Sequence, residues 1–209
     1  MNYNNPFYRF YHMLAYVPSR IHFKRKKYIN ILEKDKLAAT LAKGYYVILT
    51  GNNYSLSSLV VRLITLLKTG KWVPYSHVLM NVDNIESPDE RDDFKFMEAT
   101  AVGVHYSTFD EVFDCDYVCV MTPKNIDNTE WTRIIDKAVE QNHKPYDDLF
   151  QLADDTHISC VELVRTALMA NDSYKDEFQH LEKLIQEEGN LLPQMFRDCQ
   201  DFEVVFEIK

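Results

Sequence analysis

Apolar positions along the chain follow two periods, and each period predicts a different kind of element. The segment YSHVLMNV, Tyr75 to Val82, alternates sides and is rich in β-forming residues, which predicts a strand. FKFMEAT, ending the run from Phe94 to Thr100, predicts a second. FEVVFEI, Phe202 to Ile208, predicts a third, with one apolar face and Glu203 and Glu207 on the other. Elsewhere the apolar spacing is three to four. LSSLVVRLITLL predicts a core-facing helix with its stripe at Leu56, Leu59, Val60, Leu63, Ile64 and Leu67, capped by Ser55 and closed at Gly70. NTEWTRIIDKAVEQ predicts another, capped by Asn128, with Trp131, Ile134, Ile135, Ala138 and Val139 inward. A further helix is expected from about Ser173 to Glu188, with Phe178, Leu181, Leu184 and Ile185 inward and Gly189 closing it. Strands gather in the middle and at the end while helices flank them. The expected fold is α+β, an antiparallel sheet packed against helices.

The most informative stretch is HKPYDDLFQLADDTHISCVELV, His143 to Val164. Ser159 is a good N-cap and Glu162 sits at capping-box spacing, so Cys160 is expected as the first residue of a helix carrying Leu163, Val164, Ala167 and Leu168 on its apolar face. Unpaired backbone N–H groups and the positive end of the helix dipole favour a thiolate at that position. A buried packing cysteine uses the same residue type, so the chemistry depends on a base and a carboxylate nearby. The strands at 75–82 and 94–100 supply both if they form an antiparallel hairpin. His77 starts the first and Glu98 lies near the end of the second, which brings them to one rim of the sheet. The polar stretch from Asp83 to Asp93 is then the turn at the opposite end. A carboxylate on one imidazole nitrogen fixes the tautomer and leaves the other nitrogen to take a thiol proton.

Composition and charge change the picture at one end only. The chain is 46% hydrophobic and 26% charged, ordinary for a globular domain. No stretch reaches the ~18 uninterrupted apolar residues of a spanning helix, and no signal-peptide pattern opens the sequence. A cytoplasmic location is expected, although release by lysis or packaging in a virion would leave the same pattern. Residues 1–43 carry nine Lys or Arg and two acids, a net of +7 against −9 for the whole chain. Asn5 and Pro6 can start a helix bearing Phe7, Phe10, Tyr11, Leu14 and Val17, followed by the basic run Lys24 to Lys27. The expected organisation is a basic, aromatic helical extension over 1–43 and a main domain over 44–209. Such an arm can bind an anionic membrane surface or a protein partner, or clamp onto the acidic body of its own chain, the reading preferred here. A basic run with no recognised motif is poor evidence for nucleic acid.

The four cysteines, Cys115, Cys119, Cys160 and Cys199, are expected as reduced thiols. Four strand residues separate the first two by roughly 13 Å, too far for a disulfide. No Cys/His spacing matches a zinc site, and neither a metal nor another cofactor is expected.

The order GYYVILTG, SHVLMNV, FMEATAVGVHYSTFDEVF and KPYDDLFQLADDTHISCVELV resembles the YiiX-like group of circularly permuted papain-fold hydrolases, relatives of the NlpC-type cell-wall peptidases and of lecithin retinol acyltransferase. The likeness covers roughly residues 44 to 209, and its last segment is the most specific. It implies Cys160 as nucleophile, His77 as base and Glu98 as the orienting residue. Three positions depart from the group's pattern: Tyr45 replaces an acidic residue, and Ser159 and Val161 flank the cysteine in place of an aromatic and a serine. The last two alter the pocket beside the sulfur and bear on substrate rather than on activity.

Tyr146 and Asp147 belong to the same resemblance, with a turn role at least as strong as substrate contact. Tyr146, His105 and Ser159 are the candidate substrate-binding residues, with a solvated loop position the competing reading for His105. His157, three residues before Cys160, is a weaker base than His77 because its short tether hinders an in-line approach, and His143 is expected to be exposed. The leading function is a papain-like cysteine amidase or peptidase acting on a peptide, amide or acyl substrate through a thioacyl intermediate. The alternatives are a lipid or ester acyl hydrolase or acyltransferase, and a binding module that keeps the fold without turnover.

Overall fold

The computed structural model describes residues 29–83, 91–147, 156–170, 176–188 and 192–209. Its centre is one six-stranded antiparallel sheet: β1 (Val47–Gly51), β2 (His77–Asn81), β3 (Lys95–Thr100), β4 (Gly103–Thr108), β5 (Tyr117–Pro123) and β6 (Phe202–Ile208), in the order β4-β3-β2-β1-β5-β6. Seven helices accompany the described sheet: α1 (Ile31–Leu41), α2 (Leu56–Thr69), α3 (Phe109–Val112), α4 (Asn128–Val139), α5 (Cys160–Leu168), α6 (Gln179–Glu188) and α7 (Pro193–Asp198). The α+β class and the antiparallel sheet expected from the sequence are both present.

β1 lies between β2 and β5 and is buried on both faces, so its two sides serve two cores. Val47 and Leu49 join Met80, Met121, Trp131, Ile134, Leu163 and Val164 on one face. Ile48 joins Leu37, Leu41, Phe94, Phe96, Phe109 and Phe113 on the other. Within this second core Phe113 meets Phe96 edge-on at 5.3 Å, an arrangement that suits the charge distribution of aromatic rings. Residues 1–28 of the basic extension lie outside the described residues, but Ile29 to Lys43 do not form a separate arm. α1 buries Leu37, Ala38 and Leu41 in the second core. Its capping box joins Asn30 and Glu33 in both directions.

Four expectations need correction. The N-cap of α4 is Asp127, whose carboxylate accepts from the Glu130 amide at 2.8 Å. α6 begins at Gln179; residues 171–175 and Gly189 lie outside the described residues. α2 has the expected bounds, Ser55 cap and left-handed Gly70, but of the expected stripe it is Ile64 that packs against the first core, and the fully buried positions are polar. Ser58, Arg62 and Thr65 are buried, while Leu63 and Leu67 are 46% and 66% exposed. Arg62 can occupy the inner position because its Nε donates to Val73 O at 2.7 Å and one terminal nitrogen donates to Asn53 at 2.6 Å. β6 lacks a continuous apolar face because its register against β5 slips between Val120 and Met121. Phe202 and Val204 meet the first core, whereas Phe206 and Ile208 meet the second. Beyond the slip Glu207 is not a solvated residue: it accepts from the buried Tyr75 hydroxyl at 2.6 Å and pairs with Arg197 at 3.2 Å.

Candidate functional site

α5 opens at Cys160, and its cap accounts for that position. Ser159 is extended, its hydroxyl accepts from the Glu162 amide, and the Glu162 carboxylate accepts from the Ser159 amide at 2.8 Å and hydroxyl at 2.6 Å. This closed pair is buried, and burial pushes the Glu162 carboxyl up although the Ser159 bonds oppose it. The Ser159 side chain is therefore committed to the cap. Cys160 is 5% exposed and joins the first core.

β2 and β3 form the expected antiparallel pair, with Met80 opposite Met97 and Asn81 opposite Phe96. His77 is the first residue of β2 and Glu98 the fourth of β3. The His77 Nε2 lies 2.7 Å from Glu98 Oε2. Burial alone would lower the His77 pKa, but the charge of the Cys160 sulfur and the Glu98 carboxylate outweigh it and hold the pKa at about 10. Burial would raise the Glu98 pKa; the bonds from His77 and Ser107 reverse that and bring it to about 2. The imidazole thus stands between a thiol and a carboxylate. With Nε2 on Glu98, Nδ1 is the nitrogen left to serve the sulfur.

Glu98 carries more than His77. Its Oε1 accepts from the Ser107 hydroxyl and lies 3.6 Å from His105 Nε2. His105 Nδ1 donates to Gly103 O at 3.0 Å, so Nε2 is the nitrogen turned toward the carboxylate. His105 is a half-buried strand residue directly opposite Glu98, not a loop residue. Ser107 had no separate sequence signal, although alternation along β4 places it on the same face as His105.

The KPYD segment frames the approach to Cys160. Tyr146 pairs with Ile158 in an isolated parallel bridge, and Asp147 N donates to Ile158 O at 3.2 Å. The same segment holds the start of β4, with Val104 N donating to Lys144 O at 2.9 Å. Gly103 makes this fit: its φ is +101°, and a Cβ there would stand 2.6 Å from Lys144 O. Tyr146 is half-buried against the first core. His157 is exposed, with Nδ1 2.8 Å from Thr156 Oγ1. His143 is exposed as expected, at a positive φ of 68°. Residues 148–155, the middle of the resembling segment, lie outside the described residues. The structure brings together Cys160, His77, Glu98 and His105, and keeps Tyr146 on the strand-like approach to the cysteine.

A solved structure shares this fold. The crystal structure of metalloprotein yiiX from Escherichia coli O157:H7, DUF1105, superposes with a TM-score of 0.55 over 78% of this chain and 96% of that one, at 16% sequence identity. The likeness shows a YiiX-like fold. No family model matches the chain, and no curated protein matches it. Among the described residues no group of three or more His, Cys, Asp or Glu side chains could hold a metal ion. The nearest approach to one, His77, His105 and Glu98, has its nitrogens turned onto the carboxylate rather than toward a shared point. These residues do not fit a metal centre. The remaining cysteines, Cys115, Cys119 and Cys199, are buried, and none of them forms a disulfide. Among the described residues no helix is long and apolar enough to cross a membrane.

Proposed function

We propose that the protein is a cysteine hydrolase that cleaves an amide or peptide bond through a thioacyl intermediate. The observation that carries this reading is the line from Cys160, at the first position of α5, through His77 to Glu98 Oε2 at 2.7 Å from the imidazole. His77 takes the thiol proton, and the Cys160 sulfur attacks the carbonyl carbon to form a C–S bond. His77 then returns the proton to the leaving nitrogen as the C–N bond breaks. Water, deprotonated by the same imidazole, attacks the thioester; the acid leaves and the thiol is reformed. Glu98 holds the ring and stabilises the imidazolium in both steps. Free amide N–H groups at the start of α5 can receive the oxyanion.

Incubation with p-nitrophenyl acetate, followed by peptide mass spectrometry, tests the first half-reaction. The expected acetyl adduct sits on Cys160 and is absent from Cys160→Ala. A panel of peptide and acyl amides then tests turnover. Cys160→Ala abolishes it, His77→Ala comes close, and the double variant is no worse than Cys160→Ala alone because the two act as a unit. Essential His157 with dispensable His77 would overturn the assignment.

A further inference from the structure

Glu98 meets His77 through one oxygen, and its other oxygen faces β4. Oε2 takes the His77 Nε2 at 2.7 Å, while Oε1 accepts from the Ser107 hydroxyl and lies 3.6 Å from His105 Nε2. His105 takes no part in the proton transfers above, yet its ring is held at both nitrogens. Nδ1 donates to Gly103 O at 3.0 Å, two residues back on the same strand. That anchor is itself fixed: Gly103 sits at a φ of +101° against Lys144 O, which also accepts from Val104 N at 2.9 Å. The register of β3 and β4 sets His105 directly opposite Glu98. The ring therefore turns Nε2 to the carboxylate although its side chain is 34% exposed.

The chemistry of the two contacts says what the ring does. Gly103 O and Glu98 Oε1 are both acceptors, so each is served only by an N–H, and the ring that serves both is the imidazolium. A carboxylate bound through one oxygen can still turn, because the terminal torsion of glutamate is broad. Ser107 and His105 on Oε1 oppose that turn and keep Oε2 in line with the His77 ring. The His105 charge also adds to the bonds from His77 and Ser107 that hold the Glu98 carboxyl down against burial. A second carboxylate reached by the field of His105, Glu111, is committed to the cap of α3, where it accepts from the Thr108 amide and hydroxyl at 2.8 Å each. Resting on the hydrolase reading above, we infer that His105 is a positioning residue, which fixes the Glu98 oxygen not bonded to His77 and so aims His77 at the Cys160 sulfur.

The test compares three variants of the full chain on p-nitrophenyl acetate, followed as steady-state release of p-nitrophenol. In His105→Gln the side-chain amide takes the place of Nε2 and still reaches Glu98. In His105→Asn it takes the place of Nδ1 and reaches only Gly103. His105→Asn and His105→Ala should each lose about tenfold in kcat with KM unchanged, and His105→Gln should return to within about threefold of wild type. Both amide variants keep a polar side chain on β4, so a folding failure of His105→Ala leaves the comparison intact. The His77 Nε2 proton, recognised in NMR spectra by its absence from His77→Ala, should exchange faster with water in His105→Asn and not in His105→Gln. That readout needs no turnover. A wild-type chain without turnover but with this exchange pattern would sink the hydrolase reading and leave the hold of His105 on Glu98 standing. A raised KM with unchanged kcat would make His105 a substrate contact and overturn the positioning role. Wild-type kcat in His105→Asn, or the same kcat loss or proton exchange in His105→Asn and His105→Gln, would overturn it as well.

Discussion

Replacing Glu98 with Gln removes one negative charge and almost no volume, so its cost measures the charge. The Glu98 carboxyl moves from 4.5 to about 2 on folding, which corresponds to roughly 3 kcal/mol, shared among His77, Ser107 and His105. His77 moves further, from 6.5 to about 10, because it also feels the Cys160 sulfur. The Glu98 figure therefore isolates the carboxylate better, and the two are not added because they count one contact twice. The side chains are 23% and 12% exposed, so solvent screening is modest. Glutamine still accepts a hydrogen bond, leaving an expected loss of roughly 2 kcal/mol, or a Tm lower by about 4–8 °C. The pH window follows from the direction of each shift. The depressed carboxyl contributes fully above 4.5 and loses its contribution as pH falls through about 2. The elevated imidazole contributes fully below 6.5 and loses its contribution as pH rises through about 10. The full effect therefore lies between pH 4.5 and 6.5. Urea unfolding of wild type and Glu98→Gln at pH 5.5 should show the whole difference, and at pH 9.5 the difference should fall below about 1 kcal/mol. An equal difference at both values would refute an ionic contact and leave only packing and neutral hydrogen bonds.

Other perturbations test separate parts of the site. Iodoacetamide at pH 7.5 should modify Cys160 well before Cys119, whose thiol is pushed up to about 12 by burial, and before Cys199, also raised by burial; peptide mapping that finds equal labelling would contradict a reactive Cys160. Gly103→Ala should cost about 1–3 kcal/mol in thermal unfolding, because the left-handed φ and the Lys144 carbonyl both oppose a Cβ. Ser107→Ala should raise the Glu98 pKa measured by NMR while leaving the fold intact, since it removes a hydrogen bond that keeps the carboxylate ionised.

The candidate site was legible in the sequence because each of its relations is local or one hairpin long. Ser159 and Glu162 announce the start of α5, which puts Cys160 at the helix terminus. Alternation through 77–81 and 95–100 forces the start of one strand beside the end of the next, and His77 meets Glu98 there without any knowledge of the rest of the sheet. The packing of that hairpin against α5 was not legible from periodicity. It depends on which sheet face receives the helix; the residue types offered His77, Glu98 and Cys160 as one candidate site, and the family resemblance implied their roles.

The face of α2 escaped for the opposite reason. Periodicity identifies which residues share a side of a helix, but the side turned inward depends on what the neighbours offer. Val73 O, Asn53, Tyr117 and Trp72 together accommodate a guanidinium, so the charged residue goes in and the leucines stay out. β6 shows the same dependence on partners. One slipped residue beside Val120 changes the parity of the strand, and Glu207 reaches Tyr75 where an unbroken alternation would have sent it to water. In both elements the polar group that moved inward is satisfied by hydrogen bonds from several directions, a condition for burying it at all. Such multi-partner arrangements are assembled from residues distant in sequence, as Tyr75, Arg197 and Glu207 are. The departures from simple patterning therefore share one physical origin: each buries a charge whose partners lie outside its own helix or strand.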